Sequence, residues 1–245
     1  MKRLLWAAAA TVLVLGLWQA LVSLAGLPPF ILPGPGRVAT ALWKNRVLIA
    51  DNAGVTILEV LLGLVLGTLV GAATAIGLAA SASARALMRP ILVFSQAIPV
   101  FALAPILTLW LGYGIGSKVV MAVLIIFFPV ASSFLDGLLT TPQGYLDLAR
   151  CMGARPGATL WRIRVPAALP SLASGLRLAA VYAPIGAVIG EWVGASRGLG
   201  YLMLLANGRA KIDLMFASLI VLAAFTIILH ALIDFLATRL QSDAN

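Results

Sequence analysis

Few side chains in this sequence could do chemistry. The chain has eight Asp and Glu, one His and one Cys, and four of the acids, Glu59, Asp136, Glu191 and Asp234, fall inside or at the ends of long apolar segments. A carboxylate so placed is costly to bury and needs a partner, a water-filled cavity or the membrane interface. Glu59 and Asp234 read as the deeper pair. His230, four residues before Asp234 on the same helical face, joins it in a polar spot rather than a proton relay. Each acid reads first as a hydrogen-bonded or neutralised group and only second as a contact for a passing solute. No nucleophile lies near a clustered base, and one Cys with one His excludes disulfide frameworks and Cys/His zinc sites. Gly112–Lys118 superficially resembles a phosphate loop, but no glycine is followed directly by Lys and then Ser or Thr. The chain therefore has no means of its own to hydrolyse a nucleotide.

The elements that hold these residues are membrane spans. Of 245 residues, 62% are hydrophobic and 10% charged, against about 45–50% and about 25% in globular proteins. That balance excludes a water-soluble enzyme. Seventeen Lys and Arg give a net charge of +9; spread along an apolar chain, they mark the flanks of spans rather than a nucleic-acid surface. A span needs about 20 mostly apolar residues. Six segments qualify: Leu4–Leu24, Ala53–Ala80, Ile91–Leu111, Val119–Leu139, Leu169–Val193 and Leu214–Leu240. Residues 1–245 thus read as one all-α, polytopic membrane domain of six transmembrane helices, too continuous in pattern for a membrane barrel. Lys2 and Arg3 give the first segment a signal-peptide look, but its apolar run exceeds a typical h-region, so it is expected to be retained. With both termini in the cytoplasm, ten basic residues lie inside and seven outside, and Arg150, Arg155, Arg162 and Arg164 carry the strongest part of the bias.

Within the spans, Pro99 and Pro105 each remove a backbone N–H and obstruct the preceding turn. Such breaks survive in lipid only where protein or a watery cavity satisfies the freed carbonyls. The third span is therefore expected either at a solute pathway, with Ser95, Gln96 and Glu191 as candidate polar contacts, or as a kinked packing helix. Gly63, Gly67 and Gly71 form two overlapping small-xxx-small steps and read as helix packing. Outside, Pro33-Gly34-Pro35-Gly36 precedes a short apolar stripe from Val38 to Leu42, expected as a surface helix or a plain loop. Tyr201 to Ala206 is apolar but too short to cross, and could dip into the mouth of a pathway.

Residues 141–170 are too polar to enter the bilayer yet carry helical periodicity. Tyr145, Leu148, Ala149 and Met152 fall at i, i+3, i+4 and i+7. Pro142 can open that helix, and Gly153 stands where a C′ glycine would close it. A second short helix, with Ala158, Trp161 and Val165 on one side, is expected to stop at Pro166. The pair makes a rigid knob, or else a helix pair lying on the membrane with its arginines facing lipid phosphates.

The knob carries a resemblance. Asp147-Leu148-Ala149, three residues, Gly153, nine residues, then Ile163-Arg164-Val165-Pro166 resembles the EAA loop of bacterial ABC importer permeases, with Asp147 for Glu, Leu148 for Ala and Val165 for Leu. Ile98-Pro99, Ala102, Ala104-Pro105, Trp110 to Gly114 and Ser117-Lys118 resemble the nitrate/sulfonate/taurine type of permease. Gly190 to Ala195, Gly198 to Leu202 and Asp213 to Ala217 look like the branch for thiamine pyrimidine (hydroxymethylpyrimidine) precursors. The resemblance implies a type I ABC importer permease fold in the bacterial cytoplasmic (inner) membrane, working as a homodimer with two ATPase subunits and an extracytoplasmic binding protein. ATP and Mg would be held by the ATPase subunit, and this chain would carry no cofactor or metal. Asp147, Leu148, Ala149, Met152, Gly153, Ala154 and Arg155 would form the coupling contact with the ATPase. Nitrate, sulfonate, taurine and riboflavin permeases share the scaffold. An ion-coupled secondary transporter and an intramembrane enzyme are the remaining alternatives.

Overall fold

The computed structural model describes residues 2–242. Among these the chain is helical with no strand, as a lipid-spanning backbone must be if every N–H and C=O is to be satisfied within its own segment. The helices are α1 Lys2–Leu24, α2 Pro35–Lys44, α3 Arg46–Ala80, α4 Ala82–Ala97, α5 Val100–Leu111, α6 Ile115–Leu139, α7 Gln143–Cys151, α8 Pro156–Thr159, α9 Val165–Gly194, α10 Leu199–Gly208 and α11 Ile212–Ser242. Four stretches are long and apolar enough to cross a bilayer: Arg46–Ala80, Ile115–Leu139, Pro156–Gly194 and Ile212–Arg239. The first expected span is α1, whose apolar part is the shorter Ala9–Leu24. The third is divided into α4 and α5 at Ile98-Pro99, where the proline removes the donor that would have continued the helix. Pro105, by contrast, sits inside α5 without breaking it.

The bundle is organised around α6, which lies between α3 and α9. Its two contact faces meet small residues. On one side Gly63, Gly67 and Gly71 of α3 face Ala122, Ile126 and Val130 of α6, so glycines and partners both repeat every four residues. A Cβ on Gly67 would stand 2.9 Å from Ile126 Cγ2, and one on Gly71 3.0 Å from Val130 Cβ. On the other side Gly175 and Gly186 of α9 approach the α6 backbone at Pro129 and Ala122. Without side chains at these points the three backbones close up, and dispersion replaces the hydrophobic drive that lipid cannot supply. Val60, Leu64, Ala122, Ile126, Ala183 and Leu229 fill the resulting core.

Each end has its own cluster. Leu78, Phe134, Leu138, Leu160 and Ala168 close the end carrying α7. At the far end Val38 and Ala41 of α2 pack with Ile49, Leu199, Leu202 and Leu214, so residues 35–44, which the sequence left as helix or loop, form a helix docked on α3, α10 and α11. Residues 199–208, expected as a short apolar dip, form α10.

One expectation is corrected. Pro166 does not stop a short second helix; α8 runs through a wide turn at Leu160–Arg164 into α9, and Pro156–Gly194 is a continuous rod of 39 residues. In that turn Val165 N–H reaches back five residues to Leu160 O. This π-type widening admits the proline that follows, whose ring would crowd a regular turn.

Candidate functional site

Two ends of the bundle hold groups that sequence alone could not place: the α7 knob and a buried polar cluster opposite it. At the knob, α7 turns Leu146 and Ala149 inward, while Tyr145, Leu148 and Met152 are exposed, Met152 at 76%. The single apolar face expected from periodicity is thus two. Ala149, expected in a contact with another subunit, is buried against its own chain, because a helix this short is held only by its packed side. Tyr145, Leu148 and Met152, at i, i+3 and i+7, leave an exposed apolar stripe on a helix too short and polar to cross a bilayer.

The helix closes by a Schellman arrangement. Gly153 N–H donates to Arg150 O at 2.9 Å and Ala154 N–H to Ala149 O at 2.9 Å. Gly153 has φ +70° with open space where its Cβ would be, so conformation rather than crowding calls for glycine. Asp147 pairs with Arg150 at 2.9 Å on the surface. Ala154 and Arg155 are exposed at the corner, and Pro156 starts the long rod. Between the knob and the end of α3 lies a cleft of about 350 Å³, lined in part by Ala79, Ala80, Leu146, Arg150 and Arg164.

At the far end, Asn52, Thr56 and Glu59 of α3, Ser117 and Lys118 of α6 and Glu191 of α9 are all buried. They converge on the start of α10. The first amide groups of a helix have no partner within it. Here Gly198 N–H donates to Asn52 Oδ1 at 2.9 Å, Leu199 N–H to Thr56 Oγ1 at 2.8 Å, and Gly200 and Tyr201 N–H to Glu191 Oε2 at 2.5 and 3.4 Å. The Thr56 hydroxyl donates in turn to Glu191 Oε1 at 2.6 Å. A negative carboxylate at a helix N-terminus is also favoured by the aligned peptide dipoles. Gly198 has φ +118°, and a Cβ there would run into the Glu191 carboxyl group. Lys118 Nζ donates to Tyr113 O at 2.8 Å and to Gly194 O, while Ser117 Oγ donates to Gly112 O at 2.9 Å. Both far-end turns, 112–114 and 194–200, are thereby tied to the bundle.

This changes several expectations. Glu191, expected as a candidate polar contact, is 1% exposed, and its oxygens accept from the α10 amides and Thr56. Glu59 and Asp234 are not the deeper pair, since Asp234 is exposed and accepts from Arg177 Nε at 2.6 Å while Glu59 is buried. Pro99 and Pro105 are exposed, and the side chains of Ser95 and Gln96 lie outside the described residues. Among the described side chains, Pro99 and Pro105 lie at the surface and Glu191 in the buried cluster. Asn52, Thr56 and Lys118 were missed. The first two had a signal, because Asn52, Thr56 and Glu59 sit at i, i+4 and i+7, and Gly63, Gly67 and Gly71 continue the same face of α3. Lys118 had none, as it reads as a flanking charge.

An all-helical bundle with proline-divided and long continuous apolar helices defines a polytopic membrane protein. The chain belongs to the family of binding-protein-dependent transport system inner membrane components, whose model matches residues 63–244. It is 50% identical over 226 residues to a "probable ABC transporter permease protein" of Haemophilus influenzae, covering 92% of each chain. It is 38% identical over 186 residues to the formylaminopyrimidine transport permease protein ThiX of Halalkalibacterium halodurans, covering 76% of this chain and 74% of that one. A solved structure of the MetNI methionine ABC transporter, in inward-facing conformations, shares the fold at TM-score 0.69 and 21% identity, over 82% of this chain and 98% of that one. The chain is thus the multi-pass inner-membrane permease component of an ABC importer. In this family ATP hydrolysis belongs to a separate subunit, so the chain is not itself an enzyme, and a binding protein completes the system.

Proposed function

We propose that the chain imports a thiamine pyrimidine precursor as one half of a homodimeric permease, with two ATPase subunits docked on its knobs and an extracytoplasmic receptor on the far end. The observation that carries this reading is the exposed stripe of Tyr145, Leu148 and Met152 on a helix rigidly joined, through Gly153 and the 39-residue rod, to a membrane span. An apolar stripe outside the bilayer favours a protein partner, and a continuous rod lets a partner's motion reach the membrane. ATP and Mg, held by the ATPase subunits, draw the two knobs together, so the spans turn outward to receive solute; hydrolysis returns them inward. The knob and its arginines then face the cytoplasm, and both termini with them.

The proline-divided α4–α5 supports the second copy. Pro99 is exposed on the single chain, and a helix break cannot face lipid tails. A second copy meeting this face, with water between, would satisfy the freed carbonyls and form the path. For the solute, the support is the 38% identity to the formylaminopyrimidine permease. The competing solute is riboflavin, since the riboflavin permease RibX of Chloroflexus aurantiacus is 35% identical over 222 residues, 90% of this chain.

Reversing Arg155 to Glu tests the docking. Transport and ATPase co-purification are expected to be lost while the protein still inserts in the membrane; retention of both would sink the docking reading. Thermal-shift titration of the cognate receptor with hydroxymethylpyrimidine, formylaminopyrimidine, riboflavin and taurine tests the solute. Stabilisation by riboflavin or taurine alone would replace the pyrimidine assignment without touching the permease role.

A further inference from the structure

The cleft between the knob and the end of α3 carries positive charge that the chain itself does not balance. Its walls are the last turn of α3 at Ala80, the inner side of α7 at Leu146 and Arg150, and the start of the rod at Thr159 and Arg164. Among the described residues, no Asp or Glu lines it. Arg150 gives one N–H to Asp147, and a guanidinium has five, so the rest are free for a second acceptor. Arg164 is half-buried and makes no ion pair or side-chain hydrogen bond among the described residues. It has lost part of its hydration with no protein acceptor in exchange, which favours an anion beside it. The Thr159 hydroxyl is committed to Arg155 O at 3.3 Å, so the two guanidinium groups are the donors. The carbonyl end of α3 would repel an anion, but Arg85 Nη1 donates to Leu78 O at 3.3 Å and offsets it.

Two planar guanidinium groups on one cleft match the oxygens of a phosphate group. The cleft, about 350 Å³, falls at the low end of the roughly 300–1,000 Å³ of small-molecule sites. Its position selects the source of the phosphate. α3 is apolar as far as Ala80, and the end of such a span is where hydrocarbon gives way to headgroups. The cleft also lies across α7 from the exposed stripe: at about 100° per residue, Tyr145, Leu148 and Met152 stand roughly 120–180° around the helix from the midpoint of Leu146 and Arg150. A protein covering the stripe therefore leaves the cleft to the membrane side. We propose that this cleft binds the phosphate of an anionic membrane phospholipid, held between Arg150 and Arg164. The lipid ties the knob to its leaflet. This goes beyond the transport reading and depends neither on which solute passes nor on what docks on the stripe.

Native mass spectrometry of the purified permease in detergent, titrated with phosphatidylglycerol, phosphatidylcholine or inorganic phosphate, counts bound molecules directly. The parent should retain phosphatidylglycerol about tenfold more strongly than phosphatidylcholine, whose ammonium opposes the arginines. Arg150→Gln and Arg164→Gln each remove one charged donor group and should weaken that retention by about tenfold. Arg164→Lys keeps the charge but loses the fork, and should fall between parent and Arg164→Gln. Arg162→Gln removes an exposed arginine that does not line the cleft, and should leave retention within about twofold of the parent. Should Arg164→Gln not fold, Arg150→Gln, at an exposed position, carries the test. Equal retention of the two lipids, full retention in both Gln variants, or an equal loss in Arg162→Gln would each overturn the site. Retention of inorganic phosphate in place of lipid would overturn the membrane as its source.

Discussion

The two ends of the bundle solve opposite problems. At the far end, polar side chains from three helices are buried and bond mostly to one another and to the chain's own backbone, with Glu59 Oε2 left without a partner. At the knob, apolar side chains stand exposed on a short helix, and the ion pair beside them, Asp147–Arg150, is exposed as well. The first arrangement is closed and contributes stability. The second is held together by a glycine corner and a packed inner face, and its outer face is left uncovered by this chain. An end that looks chemically rich, with two Glu and a Lys, is therefore bonded within the chain, while an end with almost no chemistry is where we propose that work enters.

That contrast predicts which substitutions damage function and which damage the fold. The largest effect on transport is expected from Gly153→Val. A β-branched residue at φ +70° is strained by roughly 1–3 kcal/mol, which would re-aim the corner; ATP-driven uptake in reconstituted vesicles should vanish while the detergent-solubilised permease melts within a few degrees of the parent. Glu191→Ala should do the reverse. Orphaning the Gly200 amide and Thr56 hydroxyl and leaving Lys118 with less compensation costs about 3–5 kcal/mol, read as a lowered thermal midpoint even without partners. Gly67→Leu, on the close α3–α6 approach, should cost about 1–3 kcal/mol by overpacking, seen in the same melt and as weaker helix association. The smallest effect is expected from Asp147→Asn, which removes one exposed ion pair worth at most about 1 kcal/mol; a melting shift as large as that of Glu191→Ala would mean the knob is not the solvated end described here.

Much of this was legible in the sequence where one residue type admits one physical role. Apolar runs gave the four long helices, with the first and third expected segments forming shorter apolar ones; Pro99 gave the break between α4 and α5, and Gly153 gave the corner. Residues with two acceptable roles were not resolved. Ala149 and Leu148 are adjacent and both apolar, and only packing on the chain's own helices shows that the first turns in and the second out. Pro166 carries a stop signal that a wide turn five residues long overrides. Glu191 and Asp234 both read as membrane acids, but one caps a helix and the other pairs with Arg177 at the surface.

By itself the sequence determined that this chain must live in a bilayer as helices, because its apolar content leaves no other way to satisfy the backbone. The tertiary structure decided which buried charges are partners. Hydrogen bonds between α3, α6, α9 and α10 join residues up to 146 positions apart in the chain, and local spacing carries no information about such distances: the pairing is set by how closely glycine-lined helices approach.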